Sequence, residues 1–363
     1  MYAKGLKGVV AAETKLSDID GENGRLIYRG YPVETLAVDY IFEEIAYLLW
    51  YGKLPKSAEL QELKDKMKQY RAVPKYVKEM LNHLPEEMDM MSALRTLVSS
   101  LVLDDQSKHP TIDQAIQITA VIPTLIAYIY RRRQGKPAVD PHPDFDHTKN
   151  YLYMLYGKEP AEDHVEALDT YMILTQEHGM NASTFAARVT VSSESDIVSG
   201  ITSAIGTMKG PLHGGAPGGV IELLEEMNTP ENIEKVVRNK LENGEKLMGF
   251  GHRVYRTKDP RAKALKTKLL QSNPDDNWLK LALEVEEKAI QLLNEYKPGR
   301  LLNTNVEFYA AAIMKAIDMD PELFTPTFTA SRSAGWTAHI LEQMEDNTIF
   351  RPQSKYIGSA AVK

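Results

Sequence analysis

Apolar residues recur every three or four positions along most of the 363-residue chain, with polar residues between them. This spacing places apolar side chains on one face of a helix, so it predicts a mainly helical protein. Turn-forming residues surround a few β-prone ones in 17–36, which predicts a short N-terminal β-hairpin and little other sheet. The predicted fold class is therefore all-α. The predicted helices cover residues 41–51, 75–82, 91–103, 112–133, 146–155, 161–176, 181–190, 194–208, 217–227, 231–242, 259–271, 276–295, 305–317 and 331–343, and a charged amphipathic helix begins at Ser57.

The composition is that of an ordinary globular protein, and it excludes several functional classes. Hydrophobic residues make up 43% of the chain and charged residues 26%, and this length suffices for two domains with a sizeable core. The net charge of −7 argues against a nucleic-acid partner, because nucleic-acid-binding proteins usually carry a basic excess. The absence of cysteine excludes disulfides, thiolate metal sites and a cysteine nucleophile, and it fits a reducing cytoplasm.

Neither a targeting segment nor a membrane span is expected. The first seven residues lack the apolar core of a signal peptide, which favours a cytoplasmic location. The most apolar run, residues 115–130, is interrupted by Thr119, Pro123 and Thr124. It is shorter than the roughly 20 residues that cross a bilayer, so it predicts a buried helix and no membrane partner.

Four residues of a proline-rich loop have the chemistry of metal ligands: His142, Asp144, Asp146 and His147. Their spacing matches no recognisable metal-binding pattern. No metal site is therefore predicted.

Two histidines stand in glycine-rich stretches. His213 lies in residues 209–219 among five glycines and two prolines, in a bend between predicted helices. Glycine lets a ligand approach the main chain closely, although a turn with an incidental histidine would have the same composition. A second stretch of this kind, residues 248–256, carries His252. The pair favours a functional site over two unrelated turns.

Cationic residues follow His252 at high density: Arg253, Arg256, Lys258 and Arg261. Guanidinium groups pair with phosphates and carboxylates through two parallel hydrogen bonds, so the cluster suits an anionic ligand. A basic, solvated helix start is the alternative, but cations at a helix N-terminus oppose the helix dipole. The preceding loop, residues 246–250, exposes backbone that could bond a flat heterocycle.

Glu307 lies in a polar bend before an apolar helix. It either complements the helix dipole or is a carboxylate base at the lip of a cleft. Arg332 and Arg351 are isolated arginines in small or apolar settings. Because a buried arginine needs a partner, they point to a small substrate with two or three negative charges.

These phrases, together with residues 19–32 (Ile-Asp-Gly-Glu-Asn-Gly-Arg-Leu-Ile-Tyr-Arg-Gly-Tyr-Pro) and Arg351-Pro-Gln-Ser, resemble the citrate synthase family. The resemblance is to the shorter type of many bacteria and archaea, and it covers essentially the whole chain. The stretches around His213 and His252, in this order and at this separation, are highly specific.

The resemblance implies a set of catalytic roles. His213 donates a hydrogen bond to the thioester carbonyl of acetyl-CoA while a carboxylate removes a methyl proton. The resulting carbon attacks the ketone of oxaloacetate, whose oxygen His252 polarises and protonates, and citryl-CoA is then hydrolysed. Two developing oxyanions each need a fixed donor, and the sequence leaves the tautomers of both imidazoles open. The CoA thioester is a substrate, so no separate cofactor is expected.

Further expectations come from the same resemblance. His178, Arg261, Arg332 and Arg351 bind substrate carboxylates, and Arg351 reaches the neighbouring subunit's site, which implies a homodimer. The adenine-recognition loop of the family corresponds to Lys246, Leu247, Met248, Gly249 and Phe250, and Arg256 matches a basic position near the CoA phosphates. A small CoA-binding domain, 216–318, is inserted in a large helical domain, 1–215 and 319–363, and closure about a hinge covers oxaloacetate.

Glu307 departs from the family pattern, in which the base is an aspartate. The extra methylene moves the carboxylate by roughly 1.5 Å, and a misplacement of about 1 Å can lower a rate on the order of 10²-fold. We expect Glu307 to remain the base, with modest turnover or a shifted acyl-CoA preference. Propionyl-CoA, giving 2-methylcitrate, is the nearest alternative, because one methylene is worth only about 1–3 kcal/mol in a pocket. A related lyase or acyltransferase, and a degenerate paralogue that binds CoA or a dicarboxylate, are the others.

Overall fold

A computed structural model describes residues 2–104, 107, 109–214, 216–252, 254–272 and 277–359. Across these residues the chain is predominantly helical, so the predicted all-α class is confirmed. Their one sheet has three strands, β1 Ser17–Asp20, β2 Arg25–Tyr28 and β3 Tyr31–Pro32. Both pairings are antiparallel, with Ile19 opposite Leu26 and Tyr28 opposite Tyr31. The predicted hairpin is therefore confirmed, and it gains a short third strand.

Sixteen α-helices and two single-turn 3₁₀ helices, Lys4–Leu6 and Pro321–Leu323, occur in the described residues. The α-helices are α1 Val33–Asp39, α2 Phe42–Tyr51, α3 Ser57–Tyr70, α4 Lys75–His83, α5 Met90–Ser99, α6 Ile112–Arg133, α7 His147–Tyr156, α8 Glu162–Thr175, α9 Ala182–Ser192, α10 Ile197–Met208, α11 Ala216–Met227, α12 Pro230–Glu242, α13 Pro260–Ser272, α14 Asn277–Tyr296, α15 Val306–Ala316 and α16 Phe324–Glu345.

Polar side chains define the starts of several helices. The Thr111 side chain accepts a hydrogen bond from the backbone N–H of Gln114, and the Gln114 side chain accepts one from the backbone N–H of Thr111, so this capping box opens α6. Asp89, Asn181 and Asp196 accept backbone N–H bonds at the starts of α5, α9 and α10. Each such cap contributes about 0.5–2 kcal/mol and sets where its helix begins.

Some predicted boundaries are wrong. Helix α5 ends at Ser99 rather than at 103, and α10 begins at 197 rather than 194 because Asp196 caps it. Helix α1 was not predicted, since seven residues give too few repeats to reveal a period. Helix α16 begins at Phe324 rather than at 331, because burial of Phe324 and Phe328 stabilises a segment of weak helix propensity.

Helix α16 forms the centre of the larger helical group. It is buried along most of its length and packs against α2, α5, α6, α8, α9 and α10. Helix α6 is long and apolar enough to cross a membrane by length and composition, but most of it is buried inside the protein. The prediction of a buried helix there is confirmed.

Helices α11 to α15 pack mainly against one another, as a second group. Helix α13 also contacts α1 and α8, and α15 contacts α8, so one side of this group faces the larger one. The division into domains at 216–318 stays a prediction. What the packing does establish is that α13 and α15 lie against α8 of the larger group.

Candidate active site

Most of the side chains singled out in the sequence meet between the two helical groups. The rings of His178, after α8, and His252, before α13, have their centroids 5.7 Å apart. The Arg332 guanidinium, on α16, is one of the charges that lower the pKa of both His178 and His213. The same charge also acts to lower the pKa of Glu307, at the start of α15, against the larger effect of burial. Residues far apart in the chain thus share one electrostatic environment.

His252 is held by its own loop in a defined tautomer. Its Nδ1 accepts hydrogen bonds from the backbone N–H groups of Val254, at 3.0 Å, and Tyr255, at 3.2 Å. Burial and then the charge of Arg261 lower the pKa of His252 to about 4, so the ring is neutral near pH 7. Because Nδ1 is an acceptor, the single proton is on Nε2. His252 therefore presents an N–H donor.

That donor lies beside a second one. Nη2 of Arg261 is 3.3 Å from Nε2 of His252, and neither atom can accept a hydrogen bond when Nε2 carries the proton. Asp259 holds Arg261 through both carboxylate oxygens, at 3.1 Å to Nε and 2.9 Å to Nη2. The Asp259 carboxylate also accepts from the backbone of Val306 at 3.0 Å, which ties α13 to α15. Two adjacent donors fixed in this way suit an anionic oxygen.

His213 is oriented by Ser183. Its Nε2 is 2.7 Å from the Ser183 hydroxyl, which also accepts from Trp336 Nε1 at 3.0 Å and has a second acceptor for its single proton, Asn181 Oδ1, at 2.8 Å. Burial and then the charge of Arg332 lower the pKa of His213 to about 4. When the Ser183 proton is directed to Nε2 rather than to Asn181, the neutral ring carries its own proton on Nδ1. His213 can then donate from Nδ1.

Glu307 is a carboxyl group with a raised pKa. Burial raises its pKa to about 7, although the charges of Arg261 and Arg332 oppose that rise and Asp259 adds to it. The Asn305 side chain accepts from the Glu307 backbone at 3.0 Å and so fixes the first turn of α15. Within the described residues the Glu307 carboxyl accepts no hydrogen bond. A partly accessible carboxyl of this pKa has the properties of a general base.

Arg332 is buried and only partly paired. Its Nε donates to the Thr175 carbonyl at 2.6 Å, and its guanidinium carbon lies 4.8 Å from the ring centre of Phe328. Among the described residues its terminal nitrogens have no hydrogen-bond partner. His178 lies nearby, with Nε2 3.1 Å from the Tyr255 hydroxyl, and burial followed by the charge of Arg261 holds its pKa well below the usual value. The buried Glu177 carboxylate already acts on this guanidinium, and the terminal donors of Arg332 suit an anionic ligand.

The loop 246–250 adjoins Glu307 through backbone bonds. Asn305 N donates to the Gly249 carbonyl at 2.9 Å, and the rings of Phe250 and Phe308 meet edge to face at 5.2 Å. Lys246 and Met248 are exposed, whereas Leu247 is buried in the core. The loop is thus positioned beside Glu307 with two of its side chains at the surface.

Two of the predicted basic residues lie at the surface. Arg256 is exposed, and its Nε is 3.8 Å from a carboxylate oxygen of Glu22. Arg351 is exposed on the segment after α16 and does not join the cluster of its own chain; it lines a cavity of about 960 Å³ with Arg188 and Phe350. Arg253 lies outside the described residues.

Sequence reasoning missed three residues that organise the cluster. Asp259, two positions before Arg261 and next to Pro260, had the signature of a helix-start acid. Tyr255 stood inside the His252 motif, and its contact with His178 had no local signal. Ser183 follows the cap Asn181, and nothing in the sequence linked it to His213 across 30 positions.

The sequence as a whole matches the family described as "Citrate synthase, C-terminal domain" over residues 5–353. The chain belongs to the citrate synthase family. A citrate synthase of Haloferax volcanii is 41% identical over 98% of this chain and 95% of its own length. A 2-methylcitrate synthase of Shewanella oneidensis is 39% identical over 98% and 94%.

The fold agrees with that membership. A citrate synthase of Thermoplasma acidophilum, solved as a ternary complex with carboxymethyl coenzyme A and oxaloacetate, superposes with a TM-score of 0.90. It is 32% identical, and the match covers 100% of this chain and 98% of that one. The expected family and its helical citrate synthase fold are therefore confirmed.

Proposed function

We propose that this protein condenses acetyl-CoA with oxaloacetate and hydrolyses the product to citrate and CoA. The observation that carries the proposal is that two neutral imidazoles, and one carboxyl with a pKa of about 7, surround two buried arginines. His213 and His252 are donors for two developing oxyanions, and Glu307 is the base. Arg261 and Arg332 supply the charge that a dicarboxylate requires.

Oxaloacetate binds first in this scheme. Arg332, whose terminal nitrogens have no partner in the described part of the chain, and Arg261, fixed by Asp259, pair with its carboxylates, and His178 adds a neutral contact. The ketone oxygen then accepts a bond from Nε2 of His252. Because Arg261 Nη2 lies 3.3 Å from that nitrogen, both donors reach one oxygen and polarise the carbonyl.

The acyl-CoA is then activated between His213 and Glu307. The Glu307 carboxylate takes a proton from the methyl group while Nδ1 of His213 donates to the thioester oxygen, so the negative charge on that oxygen is stabilised. The methylene carbon forms a bond with the ketone carbon, the ketone π bond breaks, and its oxygen takes a proton from His252. The proton that Glu307 gained is passed back to His252 before the next turnover, so the two side chains neither gain nor lose a proton overall. Water then adds to the thioester carbonyl of citryl-CoA, and the CoA thiol leaves.

The CoA moiety binds against the loop 246–250, beside Glu307. Lys246, Met248 and the backbone around Gly249 recognise the adenine, with Leu247 and Phe250 holding the loop in place, and Arg256 contacts the phosphates. Support comes from the exposure of Lys246 and Met248 next to the base. The group α11–α15, as a small domain, closes over oxaloacetate and excludes water. Comparing crystals with and without oxaloacetate tests the hinge, and identical domain angles would contradict it.

The acyl preference depends on Glu307. Its extra methylene displaces the base by roughly 1.5 Å relative to an aspartate, and a propionyl group presents its reactive carbon differently from an acetyl group. A 2-methylcitrate synthase of Shewanella oneidensis is 39% identical to this chain, which supports propionyl-CoA as a second substrate. Acetyl-CoA is the first candidate because two citrate synthases, at 41% and 42% identity, are slightly more similar to this chain.

A thiol-release assay tests the function. The protein is supplied with acetyl-CoA or propionyl-CoA, each with and without oxaloacetate, and free CoA is followed with a thiol reagent, against which this cysteine-free chain is silent. Release that depends on oxaloacetate supports the condensation, and the ratio of kcat/KM values assigns the acyl group. Release without oxaloacetate would indicate other acyl-transfer chemistry, and binding without any release would indicate a sensor.

The active form is a cytoplasmic homodimer in which Arg351 completes the neighbouring site. Arg351 is exposed and lies outside its own cluster, on a segment whose apolar side chains Ile349, Tyr356 and Ile357 are also exposed. Exposed apolar groups of this kind are typical of an interface. The cysteine-free composition fits a reducing compartment.

Mixed dimers show whether Arg351 acts in the active site of the neighbouring subunit or in that of its own subunit. His252→Ala and Arg351→Ala are each inactive alone, and the two are unfolded and refolded together. In a mixed dimer, one site then has an intact His252 and receives an intact Arg351 from its neighbour. Statistical mixing restores about a quarter of the parent activity, whereas no recovery would place Arg351 in its own chain's site.

A further inference from the structure

We propose that the turn between β1 and β2, residues 20–25, positions His252 by docking its backbone on the loop that carries it. The inference rests on the proposed function, because His252 is assigned there to the ketone oxygen. The turn itself is a positioning element and touches no substrate in this scheme. It joins the N-terminal hairpin to a loop more than two hundred residues later in the chain.

The contact with the His252 loop is made by main chain on both sides. Arg256 N donates to the Gly21 carbonyl at 2.8 Å. A Cβ on Gly21 would overlap the carbonyl oxygen of Val254. At Gly24 it would lie 2.5 Å from the Lys258 carbonyl oxygen. The turn and the loop therefore approach as closely as two backbones can, which only glycine permits at these positions.

Three successive amides of the loop are consequently fixed. Val254 N and Tyr255 N donate to Nδ1 of His252, and Arg256 N donates to Gly21. The first two bonds set the tautomer that puts the proton on Nε2. The third holds the peptide that follows them, so displacing it alters the direction in which the His252 ring is held.

The turn is rigid in itself. The Asp20 carboxylate accepts from Glu22 N at 3.1 Å, from Asn23 N at 3.0 Å and from Asn23 Nδ2 at 2.6 Å. Such side-chain bonds to the backbone stabilise a turn without help from the rest of the protein. A rigid turn can transmit the position of its strands to the loop.

The strands are anchored at the other half of the site. The Tyr28 hydroxyl donates to the carbonyl of Glu177 at 2.7 Å, and the Ser17 hydroxyl donates to its carboxylate at 2.8 Å. Glu177 precedes His178, and a Cβ on Gly179 would lie 3.0 Å from Ile19. The hairpin thus bridges the segment that carries His178 and the loop that carries His252, and it sets their separation.

Gly21→Ala tests the proposal, with Gly30→Ala as its matched control. Gly21 has an ordinary φ, so an alanine there adds only the clash with Val254. Gly30 lies in the next turn of the same sheet and has φ +92°, and a Cβ on it would have no other atom within 4 Å, so an alanine there adds only backbone strain. We expect Gly21→Ala to lower kcat about 10- to 100-fold with the KM for oxaloacetate changed less than about threefold. Gly30→Ala keeps kcat within about twofold while it lowers the melting temperature.

Hydrogen–deuterium exchange supplies a readout independent of turnover. The peptide that contains the amides of residues 254–256 exchanges faster in Gly21→Ala than in the parent, and its exchange is unchanged in Gly30→Ala. This comparison holds even if the parent fails to condense acyl-CoA with oxaloacetate, so a failure of the proposed function is distinguishable. Parent-like exchange and kcat in Gly21→Ala would overturn the proposal, as would equal losses in both variants.

A second variant covers the case in which Gly21→Ala does not fold. Asp20→Ala removes the acceptor that makes the turn rigid and adds no atom near the loop. It is expected to raise exchange at residues 254–256 and to lower kcat severalfold in the same direction. If Asp20→Ala leaves both unchanged, the hairpin does not position His252.

Discussion

Replacing Glu307 by glutamine should remove activity and yet stabilise the fold at alkaline pH. Glutamine keeps the size of the side chain but has no charge to bury. Burial raises the pKa of Glu307 from 4.5 to about 7, so the folded state favours the protonated form. At about 1.4 kcal/mol per pKa unit, that rise corresponds to about 3 kcal/mol of stability lost once the carboxyl ionises.

The sign of the effect depends on pH in a defined way. Below pH 4.5 the carboxyl is protonated in the folded and unfolded states, so parent and variant are equally stable with respect to this charge. Stability falls in the parent as pH rises from 4.5 through about 7, because the unfolded carboxyl ionises first. Above about pH 8 the variant Glu307→Gln should be more stable by about 1.5–3 kcal/mol, the lower figure allowing for solvent at the partly accessible carboxyl.

Chemical denaturation at a series of pH values measures the difference, and Glu286→Gln is the matched control. Burial would raise the pKa of Glu286, but hydrogen bonds from Lys266, Thr304 and Tyr309 lower it. Its charge therefore contributes stability above its ordinary pKa, which is lost as pH falls, so Glu286→Gln destabilises at about pH 8. If the free energy of unfolding of Glu307→Gln differs from that of the parent by the same amount at about pH 4.5 and pH 8.5, burial does not destabilise the Glu307 charge. Destabilisation of the variant at the higher pH would contradict the prediction as well.

Four further predictions concern the reaction. Because the pKa of Glu307 is about 7, kcat/KM for the acyl-CoA should rise with pH through about 7 as the base ionises. A flat profile from about pH 6 to 8 would contradict its role. The variant Glu307→Asp should keep or raise turnover, whereas Glu307→Ala should nearly abolish it. Arg332→Gln should raise the KM for oxaloacetate about 10- to 150-fold, since a hydrogen bond to a charged group is worth about 1.5–3 kcal/mol; an unchanged KM in steady-state kinetics would place the dicarboxylate elsewhere. Ser183→Ala should lower kcat about 10- to 100-fold through His213, with Ser183→Thr as the hydroxyl-retaining control, and equal kcat in both would dismiss the orienting role.

Local pattern was sufficient for most helices and insufficient for a few. Helix α6 was predicted with its observed bounds, 112–133, because its capping box and continuous apolar run are local signals. Helix α16 was predicted to start too late, because residues from 324 onward are helical only through their burial in the core. Propensity is a weak prior that tertiary packing overrides.

The candidate site divides in the same way. His213, His252 and Glu307 were identified from glycine-rich or polar bends and from a family resemblance. The bond from the Val306 backbone to Asp259 was not identified, because it joins α13 to a helix that begins 47 positions later. Partners brought together by folding leave no periodic signal in the chain.

By itself, the sequence determined the helical class, the N-terminal hairpin, the family and the residue types available for chemistry, since these depend on local spacing and short motifs. The tertiary structure alone decided which of those residues share one environment. The lowered pKa of His252 and the raised pKa of Glu307 come first from burial, and charges brought near by folding then modify both. Desolvation and charge proximity act through space, so they exist only once distant segments of the chain have packed together.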